Sequence, residues 1–182
     1  MTLAVVRILL VGLMGSGKSS VGRAIAARTG WPCLDNDEEL QRRTGSTAAE
    51  LLALQGLPGL RAAESEVLTA VLATPPPLVA GVAAGTVLDP VDRARLRAGG
   101  HVVWLRPPVA ALAERAFGAP HRPWLDEAPL EVLRAMASER DPLFAAVAHQ
   151  VVDTVALSPD EVAEQVVAAV RRGAGPAARP DR

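Results

Sequence analysis

The stretch Gly12-Leu13-Met14-Gly15-Ser16-Gly17-Lys18-Ser19 decides the fold. It reads as a complete G-x-x-x-x-G-K-[ST] phosphate-binding loop. An apolar run over residues 5–11 precedes it, and a helix-forming run over 20–28 follows. That order is what the chemistry demands: a strand delivers the chain, a glycine-rich turn wraps an anion, and a helix begins there. Glycines let the backbone turn tightly and approach an anion without a side chain in the way. Successive N–H groups then line a concavity for phosphate oxygens, and the helix adds its positive end. The spacing predicts nucleotide contacts from Gly12, Gly15, Ser16, Gly17, Lys18, Ser19 and Ser20. The Lys18 ammonium is expected to reach the β- and γ-phosphates of ATP, and the Ser19 hydroxyl to ligate Mg²⁺.

Working outward, 182 residues suit one domain with a sizeable core. A hydrophobic content of 49% with 21% charged residues is that of a globular chain. The formal net charge of −1 argues against nucleic acid or an acidic membrane as partner. The single cysteine, Cys33, leaves no internal disulfide framework and fits a cytoplasmic protein. The apolar N-terminal run is broken by Arg7 and ends in the loop, so it reads as a buried parallel strand and not a membrane span.

Strand-like runs fall at 5–11, 32–34, 78–81, 101–105 and 151–153. Helical patterns fall between them at 19–29, 38–43, 47–55, 60–72, 90–98, 109–116, 129–148 and 159–172. Ser158-Pro159-Asp160-Glu161 is a good helix start: a cap, a proline at the first position, then acids. The alternation predicts an α/β fold with a parallel sheet covered by helices on both faces. The domain is expected over residues 1–172, with a flexible tail at 173–182.

Ligands of such sheets bind beyond the carboxyl ends of the strands. After the second strand come Asp35-Asn36-Asp37. Asp35 suits a carboxylate near Ser19 that holds Mg²⁺ through water. Asp37 suits a carboxylate that orients a substrate hydroxyl. A helix cap would account for one of them. Arg61 and Glu64 lie three apart on one helix face, as a braced guanidinium for an anion or as a surface ion pair. Arg115 and Arg122 flank a Gly/Pro-containing loop of a length that can close over phosphates, where Arg122 would stabilise the transferring phosphoryl group. Arg140 alone reads as an ordinary helix-surface arginine.

Together these segments resemble the shikimate kinases, small P-loop kinases of aromatic amino acid biosynthesis. The resemblance runs from about Val6 to Val170. Besides the loop it is carried by Leu34-Asp35-Asn36-Asp37, residues 43–50, Leu60-Arg61-Ala62-Ala63-Glu64, Val102-Val103-Trp104-Leu105, Arg122-Pro123-Trp124-Leu125 and residues 139–144. It implies a five-stranded sheet of order 2-3-1-4-5 with a short mobile lid. It implies ATP- and Mg²⁺-dependent transfer to a hydroxyl of a small carboxylated polyol, shikimate first, by a monomer. By the same resemblance Asp37 binds and orients the acceptor hydroxyls, and Arg61 and Arg140 clamp its carboxylate. Ala84 and Gly85 lie beside the acceptor, Arg122 is the lid arginine, and Arg115 packs on adenine.

One segment departs from the family. Three consecutive glycines are expected after the third strand, and Val82-Ala83-Ala84-Gly85 stands there. If the backbone needed positive φ, each alanine would cost roughly 1–2 kcal/mol. The family's acidic residue after Gly56 is replaced by Leu57. Three other readings stay open: a kinase of another hydroxy acid such as gluconate, a nucleotide-binding regulator, and a nucleotide kinase.

Overall fold

The computed structural model describes residues 6–116 and 129–173. Within them the chain forms β1 (Arg7–Val11), α1 (Lys18–Thr29), β2 (Cys33–Leu34), α2 (Asn36–Thr44), α3 (Ala48–Ala73), β3 (Leu78–Gly81), a 3-10 turn (Thr86–Leu88) and α4 (Pro90–Gly99). There follow β4 (His101–Leu105), α5 (Val109–Ala116), α6 (Pro129–Val147), β5 (Gln150–Val152) and α7 (Pro159–Gly173). The sheet order is β2-β3-β1-β4-β5 and every pair is parallel. This is the α/β class and the order that the resemblance implied.

The apolar strands are explained by two packed faces. Along β1, Ile8 and Leu10 join one cluster with Val21 and Ile25 of α1 and Val162 and Val166 of α7. Leu9 and Val11 join the other with Val67 and Leu68 of α3, Leu96 of α4 and Phe144 of α6. Alternation along a strand sends neighbours to opposite faces, so a strand covered on both sides must be apolar throughout. Arg7 does more than interrupt that run. Its guanidinium donates to the carbonyls of Gly99 (2.6 Å), Leu72 (2.9 Å) and Thr74 (2.6 Å), closing the ends of α3 and α4.

Local chemistry sets the helix starts. Asp35 caps α2 by accepting from the Asp37 N–H at 2.9 Å. Thr47 and Glu50 form a reciprocal capping box at α3, as Ser158 and Glu161 do at α7. The expected helices at 47–55 and 60–72 are one element broken at Gly56, whose φ of 67° departs from helix before Pro58 restarts it. The 3-10 turn had no periodic signal, since three residues are too few to show one. α7 ends at Gly173. Residues 174–182 lie outside the described residues. No helix among the described residues is long and apolar enough to cross a membrane.

Candidate active site

The carboxyl ends of the strands open into one cleft of about 930 Å³. The phosphate loop forms its floor, running from the end of β1 to the start of α1. Gly12 has φ +141°, and a Cβ there would stand 2.5 Å from the Leu105 carbonyl oxygen, so only glycine fits. Ser16 N–H donates to the Leu13 carbonyl (3.2 Å), closing the turn. Gly17, left-handed, caps α1 without any side-chain hydrogen bond. Helices α2, α3, α4 and α7 each begin under a side-chain oxygen of their own chain. The α1 start presents its N–H groups to the cleft instead, which is the arrangement an anion completes. Lys18 Nζ donates to the carbonyls of Gly12 (2.9 Å) and Leu13 (3.0 Å), folded over the loop that it serves. Ser19 and Ser20 line the cleft beside it.

Asp35, Asn36 and Asp37 face this loop from the end of β2. Both expectations for Asp35 are compatible, since the cap engages Oδ1. Asp37 accepts from Asn36 Nδ2 at 3.2 Å. Among the described residues no group of three or more His, Cys, Asp and Glu could hold a metal. A hydroxyl and one carboxylate are nevertheless a donor set suited to Mg²⁺, which keeps several waters and binds through phosphate oxygens.

The other end of the cleft is cationic. Arg61, Glu64 and Arg140 meet there, from α3 and α6. Arg61 Nη1 donates to Glu64 Oε2, while Arg61 Nε is buried without a hydrogen-bond partner. Arg140 is only 6% exposed; its Nε pairs with Glu139 (3.3 Å) and its Nη1 reaches the Ala84 carbonyl (3.5 Å). The surface reading of these side chains therefore fails, because both Glu64 and Arg140 are buried. Burial first, then the Arg61 charge, pushes the Arg140 pKa down from its ordinary value. Burial likewise raises the Glu64 carboxyl, against the pull of Arg61 and Arg140. Two guanidinium charges near enough to repel in a partly dry corner are relieved by an anion that both can reach.

Arg115 Nη1 donates to the Gly15 carbonyl at 3.2 Å, so it too sits against the loop. Beyond it the cleft is lined by Thr154, Leu157, Pro159 and Val162. Sequence reasoning missed this wall; its signal was position, just past the end of β5. Arg122 and the expected lid fall within residues 117–128, outside the described residues.

The family model for shikimate kinase matches residues 14–171. The chain belongs to the shikimate kinase family. Curated shikimate kinases from Paramagnetospirillum magneticum and Oleidesulfovibrio alaskensis are 38% and 41% identical to it, over 91% and 81% of this chain and 83% and 87% of theirs. A shikimate kinase from Acinetobacter baumannii, solved in complex with shikimate, superposes with a TM-score of 0.90 at 31% identity, covering 96% of this chain and 97% of that one.

Against that family background the 82–85 segment is now explained in part. Among the described residues only glycines have positive φ, so Ala83 and Ala84 carry none of the backbone strain considered for them. Gly85 itself is right-handed, with φ −84° and ψ −19°. What it requires is space. A Cβ there would stand 2.7 Å from Arg61 Nε and closer still to Cζ and Nη1. The remaining family glycine is the one against which the Arg61 guanidinium packs.

Proposed function

We propose that the protein transfers the γ-phosphoryl group of ATP to a hydroxyl of shikimate, giving shikimate 3-phosphate. The observation that carries this reading is the pairing, in one cleft, of an uncapped phosphate-loop helix with a buried Arg61–Glu64–Arg140 corner. One end suits a triphosphate and the other a carboxylate, and Asp37, in the first turn of α2, lines the same cleft. The similar shikimate kinase from Acinetobacter baumannii, solved in complex with shikimate, supports shikimate as the acceptor.

In the reaction the acceptor oxygen bonds to the γ-phosphorus, the bond to the β,γ-bridging oxygen breaks, and ADP leaves with that electron pair. The hydroxyl proton passes to Asp37 or to solvent. Arg61 and Arg140 bind the carboxylate bidentately and fix the ring, and Asp37 aims the hydroxyl. Lys18 and the α1 N–H groups balance charge on the phosphates, with Arg122 joining from the lid. Arg115 and Pro159 flank the nucleobase. Ser19 and Asp35 would hold Mg²⁺, which supplies further neutralisation of phosphate charge when bound. The protein acts as a cytoplasmic monomer, with residues 1–172 as its domain and 173–182 as a tail.

An ADP-release assay across shikimate, quinate, gluconate and nucleoside monophosphates tests this reading. Turnover dependent on shikimate is expected. Turnover on gluconate with none on shikimate would refute it, and tight ATP binding without any acceptor-dependent turnover would favour a nucleotide-binding regulator.

A further inference from the structure

We propose that Asn36 is a positioning residue for the transfer: its side-chain amide holds the Asp37 carboxylate in the orientation that receives the acceptor hydroxyl. This rests on the reading that Asp37 aims that hydroxyl. Asn36 Nδ2 donates to Asp37 Oδ1 at 3.2 Å. The two neighbours differ in setting: Asn36 is 8% exposed, whereas Asp37 is an exposed residue. Both line the cleft. Successive side chains on a helix diverge by about 100° and do not face each other, so helix geometry alone does not produce this contact.

Chemistry fixes the direction of the bond. A carboxylate only accepts, so the amide must present its nitrogen to it. A charged acceptor also makes this the stronger kind of hydrogen bond. The backbone beneath it is held as well. The Asp37 N–H donates to Asp35 Oδ1 at 2.9 Å, and the Glu39 N–H donates to the Asp35 carbonyl at 2.9 Å. Asp37 is thus held at its backbone by the cap and at its carboxylate by the buried amide. Loss of the amide widens the set of staggered positions that the carboxylate samples. Those extra positions must be given up when it meets the hydroxyl, and the amide removes part of that cost before the acceptor arrives. Other side chains of similar shape would not serve here. Aspartate would set a second carboxylate against the first, and leucine presents no donor.

Steady-state kinetics of the full chain, with shikimate and ATP varied in turn, compare Asn36→Leu with the unsubstituted protein, each with Asp37 present and with Asp37→Ala. With Asp37 present, Asn36→Leu is expected to lower kcat/KM for shikimate by about tenfold and to leave KM for ATP within about twofold. In the Asp37→Ala chain the same substitution should change kcat/KM by less than about twofold, since no carboxylate remains for the amide to hold. Where Asp37→Ala leaves too little transfer to follow, shikimate affinity in the presence of Mg·ADP is read through the same cycle. Mg·ADP binding and a thermal melt show which variants fold, and Asn36→Ala carries the comparison if Asn36→Leu does not. Unchanged kcat/KM for shikimate in the single variant overturns the inference and leaves the shikimate reading standing. So does a loss of equal size with and without the Asp37 carboxylate, because Asn36 would then act on the ligand itself or on the fold alone. An unsubstituted protein without shikimate-dependent turnover overturns the shikimate reading, and the inference with it.

Discussion

Gly85→Ala isolates the acceptor end from everything else. The glycine occupies the right-handed helical region, φ −84° and ψ −19°, which alanine adopts freely. Gly→Ala at such a position gains about 0.4–1 kcal/mol by restricting the unfolded chain. The new methyl, however, meets the Arg61 guanidinium, 2.7 Å from Nε and nearer to Cζ and Nη1. Ordinary contact needs about 3.5 Å or more, so the guanidinium must retreat by roughly 1–2 Å. Its side chain is 27% exposed, so it has solvent to retreat into and the fold need not yield. That movement breaks the Arg61–Glu64 geometry and takes one of two guanidinium groups from the acceptor carboxylate. A hydrogen bond to a charged group is worth about 1.5–3 kcal/mol, which corresponds to a loss of roughly 10- to 150-fold in acceptor affinity. Steady-state kinetics with shikimate varied, then ATP varied, and a thermal melt, make the assay. The expected pattern is a raised acceptor KM, an unchanged ATP KM and an unchanged or slightly higher Tm. An unchanged acceptor KM in a variant that melts normally would refute the placement of Arg61 in the acceptor site.

Lys18→Ala should lower kcat by about 100-fold or more, since a cation at the transferring phosphate is removed, with the melt showing whether the loop carbonyls it holds still order. Arg7→Ala removes three carbonyl contacts at the helix ends and should destabilise by about 3 kcal/mol, roughly 10 °C in Tm, without changing acceptor KM at 25 °C. His149 accepts from the Val102 N–H through Nδ1 at 3.1 Å, and its pKa lies below the ordinary 6.5 because of burial, then the charges of His101 and Arg97. The folded state then binds fewer protons than the unfolded one, so this stability is present above pH 6.5 and is lost as pH falls below it. Melts in steps of pH should show that slope, and His149→Gln, which accepts without titrating, should flatten it.

The inner strands were legible because they obey a simple rule: covered on both faces, they are apolar almost throughout. The 78–81 and 101–105 runs coincide with β3 and β4 to the residue. The phosphate loop was legible because its glycines meet a local need, at Gly12 a carbonyl that leaves no room for a Cβ. The cationic corner was less so. Arg61 with Glu64, and Arg140 alone, carry the same local signal as surface charges; only the packing of α3 and α6 onto the segment around the 3-10 turn buries Glu64 and Arg140. Burial by distant elements leaves no trace in a three-residue spacing. Gly85 is the sharpest case. The sequence suggested a conformational need at this segment, and the need is one of volume, set by an arginine 24 positions earlier. Arg7 looked like a flaw in a strand and is a tie between two helix ends, because its partners lie 65 to 92 residues away.

In this cleft the nucleotide at the phosphate loop and the acid at the arginine corner should react with each other. Incubating the protein with γ-labelled ATP, Mg²⁺ and shikimate, and following the label, tests it most directly. The label is expected to move into a phosphomonoester of shikimate, one for each ADP formed. Label released only as inorganic phosphate, or ATP left intact with shikimate bound, would contradict it.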